Sequence, residues 1–109
     1  MGDGCRKKDL RNSVRQPFVA NAIVNGVDVE KQIVGLIRDL SLSGCYVETT
    51  IPLSPGTNIG LIIAHNGKKF RAFGRVVHVA ENKGMGIAFT SVLPDDQTIL
   101  ERWVKELGL

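Results

Sequence analysis

From Phe18 to Phe89 the chain runs in short stretches of β-branched and aromatic residues, each cut off by turn-forming residues: Asn25-Gly26, Pro55-Gly56, Asn66-Gly67 and Asn82-Lys83-Gly84. This punctuation constrains the fold more than any other feature, because stretches so short and so tightly connected pair with their neighbours as antiparallel strands. Asn-Gly suits a hairpin because both of its positions tolerate positive φ, and Pro-Gly suits a type II turn. Six strands are predicted: 18–24, about 31–39, 45–50, 59–64, about 69–80, and a sixth through Met85, Ile87 and Phe89. In the fifth, strict alternation places Phe70, Ala72, Gly74, Val76, His78 and Ala80 on one face. Arg71, Phe73, Arg75, Val77 and Val79 fall on the other, whose mixed polarity predicts that it leaves the core partway.

The period changes only near the end. Pro94 fits a first helical position, Asp95 and Asp96 complement the positive end of the helix dipole, and Ile99, Leu100, Trp103, Val104 and Leu107 form one apolar stripe. Glu101 and Lys105 can pair one turn apart, and Gly108 can end the helix. The fold class is therefore mainly β: a six-stranded antiparallel barrel, closed or nearly closed because closure removes exposed edges, with a C-terminal α-helix that lies across the sheet or closes one end.

At 109 residues the chain has room for one core. No apolar run approaches the roughly 20 residues that span a bilayer, and the N-terminus lacks the apolar middle of a signal peptide, so a cytoplasmic protein without membrane insertion is expected. Met1-Gly2 begins like a myristoylation signal, but Arg6 stands where Ser or Thr is required. Cys5 and Cys45 have no metal-site or disulfide spacing and read as reduced thiols, Cys45 in or near the core. Residues 1–15 hold five basic and two acidic residues, which accounts for the whole net charge of +3. A binder of long nucleic acid would spread its cations over a face, so this concentration in one arm fits a small anion better. Residues 1–10 read as a flexible basic N-terminal arm and 11–109 as the domain.

Two motifs carry chemistry. Arg11-Asn-Ser-Val-Arg15 sets two guanidiniums four residues apart, and each can offer a planar fork of donors to a phosphate or to the O6/N7 edge of a guanine. In Asp39-Leu-Ser41-Leu-Ser-Gly44 the carboxylate can accept from guanine N1–H and N2–H₂, the hydroxyl can reach the same ligand, and the glycine leaves room for close backbone approach. Read alone, the first is an ordinary solvated charge pair. The second, read alone, is a strand-to-strand turn with Asp39 or Ser41 bonding locally and Gly44 at positive φ.

Taken together, in this order and at this separation, the motifs resemble the paired RxxxR and (D/N)xSxxG signatures of the PilZ domain, the bacterial receptor for cyclic di-GMP. The resemblance extends from about Arg11 to Leu107 and includes Gly74-Arg75-Val76-Val77 and Gly84-Met85-Gly86-Ile87. It implies the same barrel, and it implies cyclic di-GMP as a signalling ligand held by Arg11, Arg15, Asp39, Ser41 and Gly44. Leu10 stands where some relatives carry a further arginine, so one ligand per protomer is expected. Ligand would fold the arm over the barrel end, and the remodelled surface would signal to a downstream protein of motility, biofilm or secretion machinery.

No catalytic or metal-binding set is read from the chain, and no cofactor is expected. His65 and His78 lie in different strand regions without ligand-spaced partners, and Asp95 and Asp96 are helix-start residues. Two other readings compete. One is an adaptor of the same fold that serves pili, flagella or secretion without binding nucleotide. The other is a barrel for single-stranded nucleic acid, disfavoured because Trp103, Phe70 and Phe89 sit on apolar faces and leave few platforms for stacking.

Overall fold

The computed structural model describes residues 20–107. Six strands, β1 (Ala20–Gly26), β2 (Gln32–Leu40), β3 (Gly44–Glu48), β4 (Asn58–His65), β5 (Lys68–Ala80) and β6 (Gly84–Ser91), are followed by one helix, α1 (Pro94–Glu106). Every pairing is antiparallel, and the order β1-β2-β3-β6-β5-β4 closes on itself, so no strand is left as an edge. Inward residues from all six strands fill the barrel, with Val24, Ile37, Val47, Ile59, Phe70 and Met85 fully buried. The expected six-stranded antiparallel barrel with a C-terminal helix is the observed fold.

The registers define two ends. Ala20 pairs with Ile37, Leu40 with Cys45, Gly44 with Ala88, His65 with Lys68 and Asn21 with Ala64. One end, the upper rim, therefore gathers the start of β1, the β2–β3 turn, the close of β6 and the β4–β5 hairpin. α1 packs there. Leu100 and Trp103 are buried in the core, Trp103 meets His65 edge-on at 5.4 Å, and its ring lies 6.2 Å from that of Phe70. β6 ends at Ser91, opposite Phe73, so the N–H of Arg71 has no strand partner on that side; it donates to Asp96 Oδ1 at 3.0 Å. Asp96 thus ties the helix start to the sheet as well as complementing its dipole.

Several local expectations are corrected by the registers. Asn66-Gly67 does make the two-residue hairpin, with φ of 50° and 77°, and Ser54-Pro55-Gly56-Thr57 is a turn with Gly56 at 91°. Asn25-Gly26 does not turn: Asn25 pairs with Gln32, Gly26 with Ile59 of β4, and the reversal falls in residues 27–31. Gly26 is needed there because a Cβ would strike Val29, not because its φ is positive. The third turn sits at 81–83, with Asn82 at φ 62°, and Gly84 already belongs to β6. β3 stops at Glu48, after which Thr49 N–H donates to the Lys83 carbonyl. In the helix, Glu101 accepts from Gln97 at 3.1 Å rather than pairing with Lys105. Phe18, Val19 and Gly108 lie outside the described residues.

β5 departs most from simple alternation. Phe70, Ala72, Gly74 and Val76 do face inward, but Val77 is bulged between Val76↔Ile87 and His78↔Gly86. The extra residue reverses the phase, so His78 turns to solvent and Val79 packs against the core.

Candidate functional site

The rim around Asp39 depends on a second bulge. Ile37 pairs with Val47 and Asp39 with Tyr46, which leaves Arg38 unmatched. Without that extra residue Asp39 would share the inward face of Ile37; with it, Arg38 and Asp39 both point outward and Leu40 is buried. The bulge thereby exposes a carboxylate that plain alternation would bury. Arg38 Nη1 lies 3.5 Å from Glu48 Oε1 across the strand pair, and both side chains are solvated, so the guanidinium is lightly held.

Past Leu40 the chain turns through a compact hydrogen-bonded knot. Ser41 N–H donates to the Gly44 carbonyl at 2.9 Å. The Ser41 hydroxyl donates to that same carbonyl at 3.2 Å and accepts from Ser43 N–H at 3.3 Å, and it lies 3.3 Å from Ser43 Oγ. A hydroxyl offers one donor and two acceptor positions, so a ligand that donates to Ser41 Oγ has only the Ser43 hydroxyl to displace. The turn reading of Ser41 and the ligand-contact reading are therefore compatible.

Gly44 works differently from the expectation that it sits at positive φ. Among the described residues the positive-φ glycines are Gly56 and Gly67. A Cβ on Gly44 would collide with the Ile87 carbonyl oxygen and press on Ala88 Cα at 3.3 Å. Gly44 therefore lets the β3 and β6 backbones approach, and the Ser43 carbonyl accepts from Phe89 N–H at 2.9 Å just beside it. One residue further, Cys45 points into the core, and burial pushes its thiol up to about 12, so it stays protonated and unreactive in the folded barrel.

The structure thus gathers Asp39, Ser41 and Gly44 on one rim, while Arg11 and Arg15 lie outside the described residues. Ala20 pairs with Ile37, two residues before Asp39, so β1 begins at this same rim. Two cations were passed over by the motif reading. The sequence carried no signal for Arg38, because Ile33, Val34, Leu36, Ile37 and Leu40 are all apolar and only the β2–β3 register shows which of them face inward. Arg75 had none either: it becomes relevant only because Gly44, Ala88 and Arg75 occupy one lateral row across β3, β6 and β5, with a small residue between the outer two.

Residues 9–106 match the family model of the PilZ domain. The chain belongs to the PilZ domain family. Its barrel is similar to the crystal structure of the PilZ domain of CeSA from a cellulose-synthesizing bacterium, at 22% identity and a TM-score of 0.67, covering 86% of this chain and 97% of that one. It is also similar to the Bacillus subtilis inhibitor of motility, MotI/DgrA, at 17% identity and a TM-score of 0.68. That match covers 84% of this chain and 47% of MotI, so the PilZ barrel here spans about half the length of that protein. At these identities the two structures speak for the fold. No curated protein matches the chain. PilZ domains are binding and adaptor domains, and no catalytic family is indicated. Among the described residues, no group of three His, Cys, Asp or Glu is placed to hold a metal, and no helix is long and apolar enough to cross a membrane.

Proposed function

We propose that this PilZ domain is a cyclic di-GMP receptor in which Arg11 and Arg15 clamp the ligand against the rim formed by Asp39, Ser41 and Gly44. The observation that carries the reading is the Ala20–Ile37 pairing, which starts β1 at the rim that bears Asp39. Arg15 lies five positions before Ala20, and an extended chain spans about 17 Å over that length, enough to bring a guanidinium back onto the rim.

In this reading the roles divide by chemistry. Arg11 and Arg15 supply charge-assisted forks to phosphates and guanine O6/N7, while Asp39 and the Ser41 hydroxyl accept from the guanine N1–H and N2–H₂ edge. Gly44 contributes by keeping β3 and β6 close enough to present that edge reader. Residues 1–10 form the arm ahead of the clamp and 11–109 the PilZ domain. Ligand binding orders the clamp on the rim, and the surface so changed signals to a protein partner in the cytoplasm.

Isothermal titration of the full chain with cyclic di-GMP tests this. A site of micromolar strength, worth ~8 kcal/mol, with one ligand per protomer is expected, and Asp39→Ala should weaken it. Absence of heat and of any thermal shift with cyclic di-GMP would leave the adaptor without nucleotide as the better reading. Two ligands per chain would overturn the stoichiometry drawn from Leu10.

A further inference from the structure

The outer surface of the barrel carries a run of apolar side chains that ends, towards the β4–β5 hairpin, in basic ones. Ile23 of β1 stands directly between Val34 of β2 and Ile62 of β4, so three branched apolar side chains form one lateral row on the solvent side. Val34 is 68% exposed. Phe73 of β5, 59% exposed, pairs with Gly60, and its ring edge lies 3.9 Å from where a Gly60 Cβ would be, extending the apolar surface beside Ile62. The row ends in charge: Ile62 pairs with Arg71, and Lys69 stands two residues back on the same face of β5.

These cations are uncommitted. Arg71 and Lys69 form no ion pair among the described residues. The carboxylate at Arg71, Asp96, is engaged by the backbone N–H and not by the guanidinium. β1 and β4, which form the middle of the surface, contain no Asp or Glu.

We propose that this face, Val34, Ile23, Ile62 and Phe73 bordered by Arg71 and Lys69, is a docking surface for a protein segment that alternates acidic with apolar side chains. Charge complementarity selects the acidic component, and the exposed branched and aromatic side chains select the apolar one. Outward residues of β5 repeat every ~6.8 Å, the same repeat as like-facing side chains of an extended peptide, so carboxylates can meet Lys69 and Arg71 in step. A second copy of this chain is a poorer occupant, because the middle of the face brings no carboxylate to meet Arg71 and Lys69. Single-stranded nucleic acid is also poorer, since it needs successive stacking platforms and the face has one aromatic ring, Phe73. The surface goes beyond the nucleotide site and does not depend on it.

The test uses the full chain and a fluorescein-labelled peptide alternating glutamate with leucine, about twelve residues long and so ~40 Å when extended, read by fluorescence anisotropy. Saturable binding is expected. Raising salt to 0.5 M should weaken it severalfold, and R71E and F73S should each weaken it at least tenfold, whereas K105E on the helix should not. R71Q, which keeps length and polarity, should show an intermediate loss, and unchanged melting temperatures should confirm that these exposed substitutions leave the barrel folded. The proposal is overturned if a lysine–leucine peptide binds as well, if R71E and F73S bind like the parent, or if only an oligothymidylate binds. It is likewise overturned if sedimentation shows self-association that F73S abolishes while the acidic peptide does not compete. Arg11 is not one of the residues of this face, so R11A should leave peptide binding intact, which separates failure of this surface from failure of the receptor reading.

Discussion

The rim around Asp39 and the outer face around Ile62 lie on the same closed sheet but are built by different means. The face follows from plain register: alternating residues of β1, β4 and β5 point outward, and whatever the sequence places there is presented to solvent. The rim follows from a break in register, since the Arg38 bulge turns Asp39 out, and a knot of hydrogen bonds around Ser41 then holds the turn. A surface made by regular pairing tolerates substitution as long as the core face is kept. One made by an irregularity loses its geometry when a single residue changes.

The sharpest test of that difference is Arg15→Ala. Loss of a charge-bonded arginine costs about 2–5 kcal/mol, so cyclic di-GMP affinity should fall about thirtyfold or more by calorimetry. Affinity for the glutamate–leucine peptide should not change, and a parallel loss of both would merge the two surfaces into one.

A smaller effect compares two glycines. Gly44→Ala forces a Cβ into the Ile87 carbonyl and should destabilise the barrel by about 1–3 kcal/mol in urea titrations. Gly60→Ala on the face meets nothing nearer than the Phe73 ring edge at 3.9 Å and should be neutral or slightly stabilising. Equal losses at both positions would show that the rim is no more constrained than the face.

Ser41→Ala should cost ~1 kcal/mol, because it removes the hydroxyl that links Ser43 N–H to the Gly44 carbonyl, and it should also slow ligand association by loosening the rim. Stopped-flow binding alongside the urea titration separates the two effects.

The smallest effect near neutral pH comes from Cys45, just inside the rim. Burial raises its thiol from 9.0 to about 12, so between those values the folded protein holds a proton that the unfolded chain has released. Stability should therefore be unaffected by this group below pH 9 and should decline as pH rises from 9 toward 12. Cys45→Ala should remove that part of the decline, and in a C5S background Cys45 should react with a disulfide reagent only as fast as the protein opens. Ready reaction in native buffer would contradict the buried rim base.

Most of the architecture was legible because it rests on local physics. Turn dipeptides, period-2 stretches and the switch to a helical stripe after Pro94 recovered six strands, one helix and most of the core, since both signals depend on neighbours within a few residues. The two Asn-Gly pairs show the limit of that reasoning. Asn66-Gly67 adopts its preferred turn, but Asn25-Gly26 is held extended because Gly26 is also paired with Ile59, and β4 arrives from more than thirty residues away. The same reason hid the reversal at Val77 and the third role of Gly44: both depend on where β6 lies, which no window of neighbouring residues contains. The motif residues could be named from their spacing, yet nothing in that spacing said that Asp39 needs a bulge to face outward.

By itself the chain determined its class of fold, most of its turns and its helix, and it carried side chains whose chemistry suits an anionic purine ligand, because propensity, alternation and side-chain chemistry are properties of short segments. Tertiary structure alone decided which side of the barrel each group faces, that β1 begins beside Asp39, and that Ile23, Ile62, Val34, Phe73 and Arg71 form one surface. Those outcomes depend on the pairing register, and register is a global property: the strands must satisfy it together around a closed ring.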